Sequence, residues 1–243
     1  MISIAPEVLL ALTLVAIYLF DSAHFLCIGE AVVTTRRGSL HGLSFGWTFE
    51  FAGRRPYVPN PFIPFRPDFR VEWDTSGGAV NTAQQVAKEM RCHLQAARAL
   101  GWLATACGVL IVLIAPLALA FQVQLLFLTS VVLCLLLAIA ASALLAVRKS
   151  DLGVTTKQAC SLIFVALVCL PCAPNLARAA AIQRRWTLAA SDFAGLGFQG
   201  TPGVTIQLQL RDALSSAKRF LSEDSKEFRV ISEQLRNLEG ENR

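Results

Sequence analysis

The stretch that decides the fold is residues 99–147, ALGWLATACGVLIVLIAPLALAFQVQLLFLTSVVLCLLLAIAASALLAV, which contains no Asp, Glu, Lys, Arg or His. A membrane-spanning helix needs about 20 mostly apolar residues, so this stretch is long enough for two. Only Gln122, Val123 and Gln124 separate its apolar halves, residues 100–121 and 125–147. The two halves are therefore expected to form a tight antiparallel hairpin, because a soluble fold of this size could not easily bury so much apolar sequence.

Two weaker apolar segments flank the hairpin. One runs from residue 5 to about residue 28, and the other lies between residues 157 and 178, where only 159–173 are strongly apolar and Pro171 and Pro174 interrupt the last turn. The chain is 54% hydrophobic and 16% charged, whereas soluble domains carry about 25% charged residues. These features predict a mainly α integral membrane protein with three to four transmembrane helices.

A polar insert of mixed character lies between the first two apolar segments. Residues 31–35 are β-branched, and Phe45, Trp47, Phe49 and Phe51 alternate with other residues, which predicts strands. Five prolines in residues 54–67 exclude a helix there and favour an extended, aromatic-rich ribbon lying on protein or at the lipid interface. Residues 80–98 are expected to be helical and to lead directly into the second span. The insert is thus predicted to be β-rich and Pro-rich at first and helical at its end.

The C-terminal tail carries a heptad pattern that predicts an amphipathic helix over about residues 208–238. Its seam consists of Leu214, Ala217, Leu221, Asp224, Phe228, Ile231, Leu235 and Leu238. Two interpretations remain open: a helix packed on its own protein, or a coiled coil. The large seam residues would be the partner-binding ones: Leu221, Phe228, Ile231, Leu235 and Leu238.

These segments suggest four regions along the chain: a first transmembrane helix at 1–30, an extramembrane insert with its lead-in helix at 31–98, a helical hairpin plus a fourth hydrophobic segment at 99–182, and an extramembrane tail at 183–243. The insert is rich in Lys and Arg, and cytoplasmic loops favour these residues. We therefore expect the N-terminus outside and the insert inside the cell. The expected location is the cell membrane, specifically the bacterial inner membrane.

Asp21 and His24 are the first candidates for chemistry. They are three residues apart and would share one face if the first helix continued to residue 28. Ionisable groups at membrane depth are costly, so they usually face protein or water and find partners. The pair could relay protons for an ion-coupled carrier, or it could simply lie in the interface beyond the apolar part of the helix.

Cys169 and Cys172 form a C-x-x-C sequence in the fourth hydrophobic segment. Such a pair can exchange thiols with a partner or bind a soft metal ion, although the βαβ context of thioredoxins is missing. The alternative is that both cysteines are packing residues near the end of an apolar helix. The sequence favours packing, because a membrane thiol oxidase would normally need a second cysteine pair to relay electrons and only single cysteines remain.

Other motifs point away from enzymes with a cofactor. Residues 195–200 match G-x-G-x-x-G by letter, but the flanking residues read as a turn-rich loop rather than the strand and helix of a dinucleotide site. No catalytic, cofactor-binding or metal-binding set is predicted, and the net charge of +5 is expected of a membrane protein without implying nucleic acid.

The leading hypothesis from the sequence is therefore a non-catalytic accessory, scaffold or assembly subunit of a membrane complex, with the bilayer and a protein partner or a second copy as its contacts. The alternatives are a membrane thiol-redox or metal-handling protein that uses Cys169 and Cys172, and a proton- or ion-coupled carrier that uses Asp21 and His24.

Overall fold

The computed structural model describes residues 6–27, 29–36, 39–47, 49, 54–63, 66–73, 82–199, 203–219 and 222–240. The chain divides into two compact units. The first contains residues 1–24, 58–67 and 96–183, and the second contains residues 25–57, 68–95 and 184–243. Each unit is assembled from separate pieces of the chain.

The first unit is helical. Helix α1 spans Pro6–Ser22, and helix α2 spans Ala83–Val109, of which the part from Ala96 onward belongs to this unit. A π-helical turn, Leu110–Ile114, joins α2 to α3, Ala115–Ala120, and the turn after α3 leads to α4, Gln124–Arg148. The expected hairpin of residues 100–121 and 125–147 is confirmed, and so is the helical lead-in from about residue 80.

Small side chains let the helices of the hairpin approach one another. Ala104 and Cys107 on α2 and Cys134, Ala138 and Ala141 on α4 are all fully buried in one apolar cluster. Small residues at helix contacts are typical of helices packed in lipid, because they allow close backbone approach. The Cys107 sulfur lies 3.9 Å from the Cys134 carbonyl oxygen, which marks this close approach.

The π-helical turn lies immediately before Pro116. Proline has no N–H group and its ring clashes with the carbonyl four residues earlier, so an uninterrupted α-helix would be strained there. Widening the turn at Leu110–Ile114 allows the helix to continue through the proline, which agrees with the usual placement of single π-turns within longer helices.

The fourth hydrophobic segment is interrupted rather than continuous. Helix α5, Thr156–Val168, begins with a capping box in which Thr155 and Gln158 bond each other's backbone N–H groups. It ends at Cys169, where a 3₁₀ helix, Leu170–Asn175, begins and leads into α6, Leu176–Gln183. Pro171 and Pro174 explain the interruption, because neither can donate the hydrogen bond that an α-helix needs.

Two helices among the described residues are long and apolar enough to cross a membrane by length and composition. They are the continuous helix Ala83–Ala120 and α4. Helix α1 has 17 residues and α5 has 13, which is short of the ~20 that a span usually needs.

The second unit is built on a four-stranded sheet. Its strands are β2, Glu30–Arg36; β3, Ser39–Ser44; β5, Phe69–Trp73; and β6, Arg185–Leu188. Their order in the sheet is β3-β2-β5-β6. The neighbours β3 and β5 are antiparallel to β2, whereas β6 is parallel to β5. A separate two-stranded sheet pairs β1, His24–Cys27, with β4, Arg54–Tyr57. The strand expected over 31–35 is confirmed.

A buried ion pair fixes the start of β2. Glu30 accepts a hydrogen bond from Arg70 at 2.5 Å and another from the Cys27 backbone N–H at 2.8 Å. Arg70 also donates to the Phe25 carbonyl at 2.8 Å. A buried carboxylate needs such compensation, since breaking one partner of a buried pair costs about 3–5 kcal/mol.

The tail forms two helices instead of one. A 3₁₀ helix, Ala190–Leu196, precedes α7, Gly203–Lys218, and α8 spans Lys226–Gly240. The expectation of a single helix over 208–238 is wrong, because the chain turns between Lys218 and Lys226 and α8 packs on α7. The polar sequence Ser222-Glu223-Asp224-Ser225 favours this turn, and the Ser225 hydroxyl accepts a hydrogen bond from the Phe228 N–H.

Two further expectations are wrong. Helix α1 ends at Ser22 rather than near residue 28, and His24 begins β1, so Asp21 and His24 do not share a helical face. Strand β3 ends at Ser44, so the aromatic alternation that begins at Phe45 does not continue it through Trp47. Phe51 lies outside the described residues.

His93 is a buried group of the second unit and precedes the uncharged run that begins at Ala99. Its ring packs edge-on against Phe69, with 5.3 Å between centroids. Neither ring nitrogen has a hydrogen-bond partner within the described ranges. Burial, with a smaller contribution from the charge of Arg184, lowers the pKa of His93 to about 4.

Stability is therefore expected to depend on pH through His93. Above pH 6.5 the histidine is neutral in both the folded and the unfolded chain, and its contribution is fully present. As the pH falls towards 4 the unfolded chain binds the proton first, so up to about 3 kcal/mol of stability is lost. Thermal unfolding in detergent at a series of pH values measures this loss. The variant His93→Leu should show a smaller loss over the same range, and an unchanged pH dependence would contradict the assignment.

Candidate functional site

A cluster of polar side chains lies inside the apolar first unit. It brings together Tyr18 and Asp21 at the end of α1 with Asn175 and Arg178 at the junction of the 3₁₀ helix and α6. Asn175 and Arg178 are almost completely buried. Buried polar and charged groups need hydrogen-bond partners, so their arrangement is the main constraint on this part of the fold.

Arg178 is the largest fully buried side chain among the described residues. Its guanidinium group donates to the backbone carbonyls of Asn60 and Ile63 at 3.0 and 3.1 Å, and to the Asn175 side chain at 3.5 Å. The Tyr18 hydroxyl donates to the carbonyl of Pro61 between them. The Pro-rich ribbon therefore lies on its own protein at residues 60–63, which is one of the two placements that the sequence left open.

Asn175 connects this network to α1. Its amide nitrogen donates to the Asp21 carboxylate at 2.9 Å and to the Tyr18 carbonyl at 3.2 Å. The Asn175 oxygen accepts from Arg178, so one amide side chain contacts both an anionic and a cationic side chain. The carboxylate of Asp21 is thereby held in one place by a group that lies 154 positions away in the sequence.

The two cysteines of the C-x-x-C sequence complete the cluster. Cys169 caps the N-terminal end of the 3₁₀ helix and is half-buried, whereas Cys172 lies within that helix and is buried. Their sulfur atoms are 2.9 Å apart, and both are free thiols. The Asp21 carboxylate lies close to the Cys172 thiol.

This arrangement has the parts that thiol–disulfide exchange needs. A disulfide bond is about 2.05 Å long, so the sulfur atoms need to move less than about 1 Å to bond. The more accessible sulfur, Cys169, is placed to meet a partner, and the buried one, Cys172, lies beside a carboxylate. A carboxylate in contact with a thiol can act as a general base.

Of the four candidate residues from the sequence, the structure brings together Asp21, Cys169 and Cys172. The fourth, His24, is half-buried at the start of β1. Sequence reasoning missed Asn175 and Arg178. The sequence feature that could have indicated them is an amide residue and a single basic residue directly after an apolar segment.

The proposed partner-binding residues of the tail are divided. Ile231 and Leu238 are buried within the second unit, where α8 packs on α7 and on the 3₁₀ helix before it. Phe228 and Leu235 are half-buried, and the Lys218 ammonium group lies 4.6 Å from the centre of the Phe228 ring. Leu221 lies outside the described residues. Ile231 and Leu238 therefore pack on the chain's own protein, which is one of the two interpretations that the sequence left open.

Within the described ranges, no group of three or more His, Cys, Asp and Glu side chains is arranged to hold a metal ion. The chain matches no protein-family model, no curated protein and no solved structure.

Proposed function

We propose that this chain is a multi-pass membrane protein that carries out thiol–disulfide exchange at Cys169 and Cys172, with Asp21 as the proton acceptor. The single observation that carries the proposal is the contact set of the Cys172 sulfur. It lies 2.9 Å from the Cys169 sulfur and close to the Asp21 carboxylate. Packing alone does not require a carboxylate beside a cysteine pair.

Membrane residence is supported by the apolar surface of the long helices. In their most apolar parts, only 39% of residues of the helix Ala83–Ala120 and 33% of α4 are buried. A core helix of a soluble protein would be mostly buried, whereas a helix in lipid keeps apolar side chains on its outer surface. Leu125, Leu128 and Leu136 are among those exposed on α4. We propose three to four spans in the bacterial inner membrane, with α1 and the segment of α5 as the additional ones.

The exchange would proceed in two balanced steps. Cys169 loses its proton to water, and its thiolate attacks a disulfide of the partner; the partner's S–S bond breaks, and one partner sulfur leaves as a thiolate. Asp21 then takes the proton of Cys172, whose sulfur attacks the Cys169 sulfur of the mixed disulfide. The Cys169–Cys172 disulfide forms, the bond between Cys169 and the partner breaks, and the second partner sulfur leaves as a thiolate. The two partner thiolates take one proton from Asp21 and one from water. The partner gains two electrons, and a dithiol reductant of the cell restores the pair.

The direction of electron flow follows from the expected orientation. If the basic insert faces the cytoplasm, Asp21 lies near the inner end of the first span. Cytosolic thiols are kept reduced, so the pair would rest as two thiols and would act as a reductant.

The proposal predicts a reversible disulfide whose closure depends on Asp21. In purified full-length protein, oxidised glutathione should close the Cys169–Cys172 bond, as measured by alkylation and peptide mass spectrometry. The variant Asp21→Asn keeps an oxygen for Asn175 but cannot take a proton, so closure should slow by roughly a hundredfold.

Cys107 and Cys134 provide an internal control. Both are completely buried between α2 and α4, without a carboxylate contact, and should stay reduced under the same conditions. Failure of the Cys169–Cys172 bond to close in wild-type protein, or equal rates in Asp21→Asn and wild type, would overturn the proposal.

A second candidate is the accessory or assembly subunit expected from the sequence. It is favoured by the exposure of large apolar side chains on the ribbon and the insert: Phe62 is 81% exposed and Trp47 is 58% exposed. The half-buried Phe228 and Leu235 could add to such a contact. The double variant Cys169→Ser/Cys172→Ser separates the candidates, because normal cellular function at normal protein level favours the accessory subunit and loss of function favours exchange.

A further inference from the structure

The second unit contains a basic cavity of about 300 Å³ that the thiol site does not use. One wall is a face of α2, and the other is the end of the 3₁₀ helix Ala190–Leu196 with the following glycine. We propose that this cavity binds a phosphate group, as a free phosphate compound or as the head group of an anionic lipid. The proposal is independent of the exchange reaction.

The helix wall presents donors at regular spacing. Gln84, Lys88, Arg91 and Gln95 all line the cavity, at intervals of four, three and four residues, which places them on one face of α2. Lys88 and Arg91 supply two positive charges, with one amide on each side along the helix. All four side chains reach the solvent-exposed surface and can meet a ligand.

The opposite wall is made of backbone because glycines form it. A Cβ atom at Gly195 would lie 3.2 Å from the Cβ of Ala83, closer than most side-chain contacts, so glycine lets the 3₁₀ helix approach α2 closely. Gly197 has φ +70°, a left-handed conformation that favours glycine. These are two glycines of the G-x-G-x-x-G sequence, which here shape a cavity wall without the strand and helix of a dinucleotide site.

The charges of the cavity favour an anion, and its volume favours a small one. Within the described residues that line the cavity there is no Asp or Glu, and the nearby Glu89 is bonded to Arg184 at 2.6 Å. A guanidinium group and an ammonium group are the side chains that recognise phosphate, by paired hydrogen bonds and by point charge respectively. The volume is at the lower end for ligand sites, which suits a phosphate group with a small substituent better than a dinucleotide.

Cys92 makes the cavity directly testable, since its exposed thiol lines it. The test uses the full chain in detergent and the rate at which maleimide labels Cys92, resolved by peptide mass spectrometry. Cys27, exposed on β1 in the second unit and outside the lining of the cavity, reports general changes in reactivity. Millimolar inorganic phosphate is expected to slow labelling of Cys92 but not of Cys27, and sodium chloride of equal ionic strength to slow neither.

Variants separate a built site from general screening. The double variant Lys88→Gln/Arg91→Gln should need at least about tenfold more phosphate for the same protection, because charged hydrogen bonds are lost. Arg98→Gln, which removes an exposed charge of the same helix outside the cavity, should behave as wild type. If the double variant does not fold, the comparison of phosphate with chloride in wild-type protein still decides.

A lipid arm identifies the source. Two kinds of nanodisc, of phosphatidylglycerol and of phosphatidylcholine, are compared without free phosphate. If only phosphatidylglycerol protects Cys92 from labelling, the site binds an anionic head group. Protection by inorganic phosphate alone would assign it to a free phosphate compound. Lack of protection in both arms, equal protection by chloride, or full protection in the Lys88→Gln/Arg91→Gln variant would each overturn the proposal.

Discussion

Replacing Arg178 with methionine is expected to destabilise the folded protein strongly. Methionine fills much of the same volume but removes the three guanidinium hydrogen bonds to the carbonyl oxygens of Asn60 and Ile63 and to the Asn175 side chain. The two carbonyl oxygens keep only the bonds that they accept from the Ile63 and Arg66 backbone N–H groups. A hydrogen bond from a charged group contributes about 1.5–3 kcal/mol, so the loss should be on the order of 3–5 kcal/mol. Native proteins are stable by about 5–15 kcal/mol, so this loss is a large share of the whole.

The fraction of protein that stays soluble after heating in mild detergent measures this effect. Arg178→Lys keeps the positive charge, but a single ammonium group cannot reproduce the fork of the guanidinium, so an intermediate loss is expected. The exposed Arg98→Met serves as a matched control, with no change expected. Equal heat resistance of Arg178→Met and Arg98→Met would show that the network does not hold the ribbon to the helices.

The apolar helices could be predicted from the sequence because their signal is local. The uncharged run of residues 99–147 is long enough that only helices can satisfy its backbone in an apolar environment. The hairpin follows from the three residues between its halves. The extended ribbon also follows from its prolines, which exclude a helix whatever they contact.

The boundaries of helices were harder to predict where apolar residues continue into a strand. Phe25, Leu26 and Cys27 extend the apolar pattern of α1, but they pair with β4 instead. The heptad pattern likewise continues from α7 to α8, yet the turn between them folds α8 back so that Ile231 contacts its own chain. Periodicity reports which face is apolar, and it does not report where a helix ends.

The candidate site depends on contacts between distant segments, which a single sequence does not contain. Asp21 and the C-x-x-C cysteines could each be singled out, but nothing local indicates that they meet. Asn175 and Arg178 were missed because their partners are backbone carbonyls of the ribbon and a carboxylate on α1. The parallel pairing of β6 with β5 is hidden in the same way, since the two strands are far apart in the chain.

The second large effect concerns the fate of a partner bound through Cys169. With Cys172 replaced by serine, the first exchange step can occur but the second cannot, since no thiol remains to attack the mixed disulfide. The complex should then accumulate, whereas wild-type protein releases its partner at once. Cys169→Ser removes the accessible sulfur and should form no complex, although it keeps the buried thiol beside Asp21.

The most direct measurement is therefore to express Cys172→Ser in cells, block free thiols with acid and alkylation, and separate the membrane proteins without reductant. The account predicts covalent complexes of higher mass that contain this chain, disappear on reduction, and are absent from both Cys169→Ser and Cys169→Ser/Cys172→Ser. It is contradicted if Cys172→Ser, at wild-type protein level, shows no reducible complex, or if the same complexes persist when Cys169 is replaced.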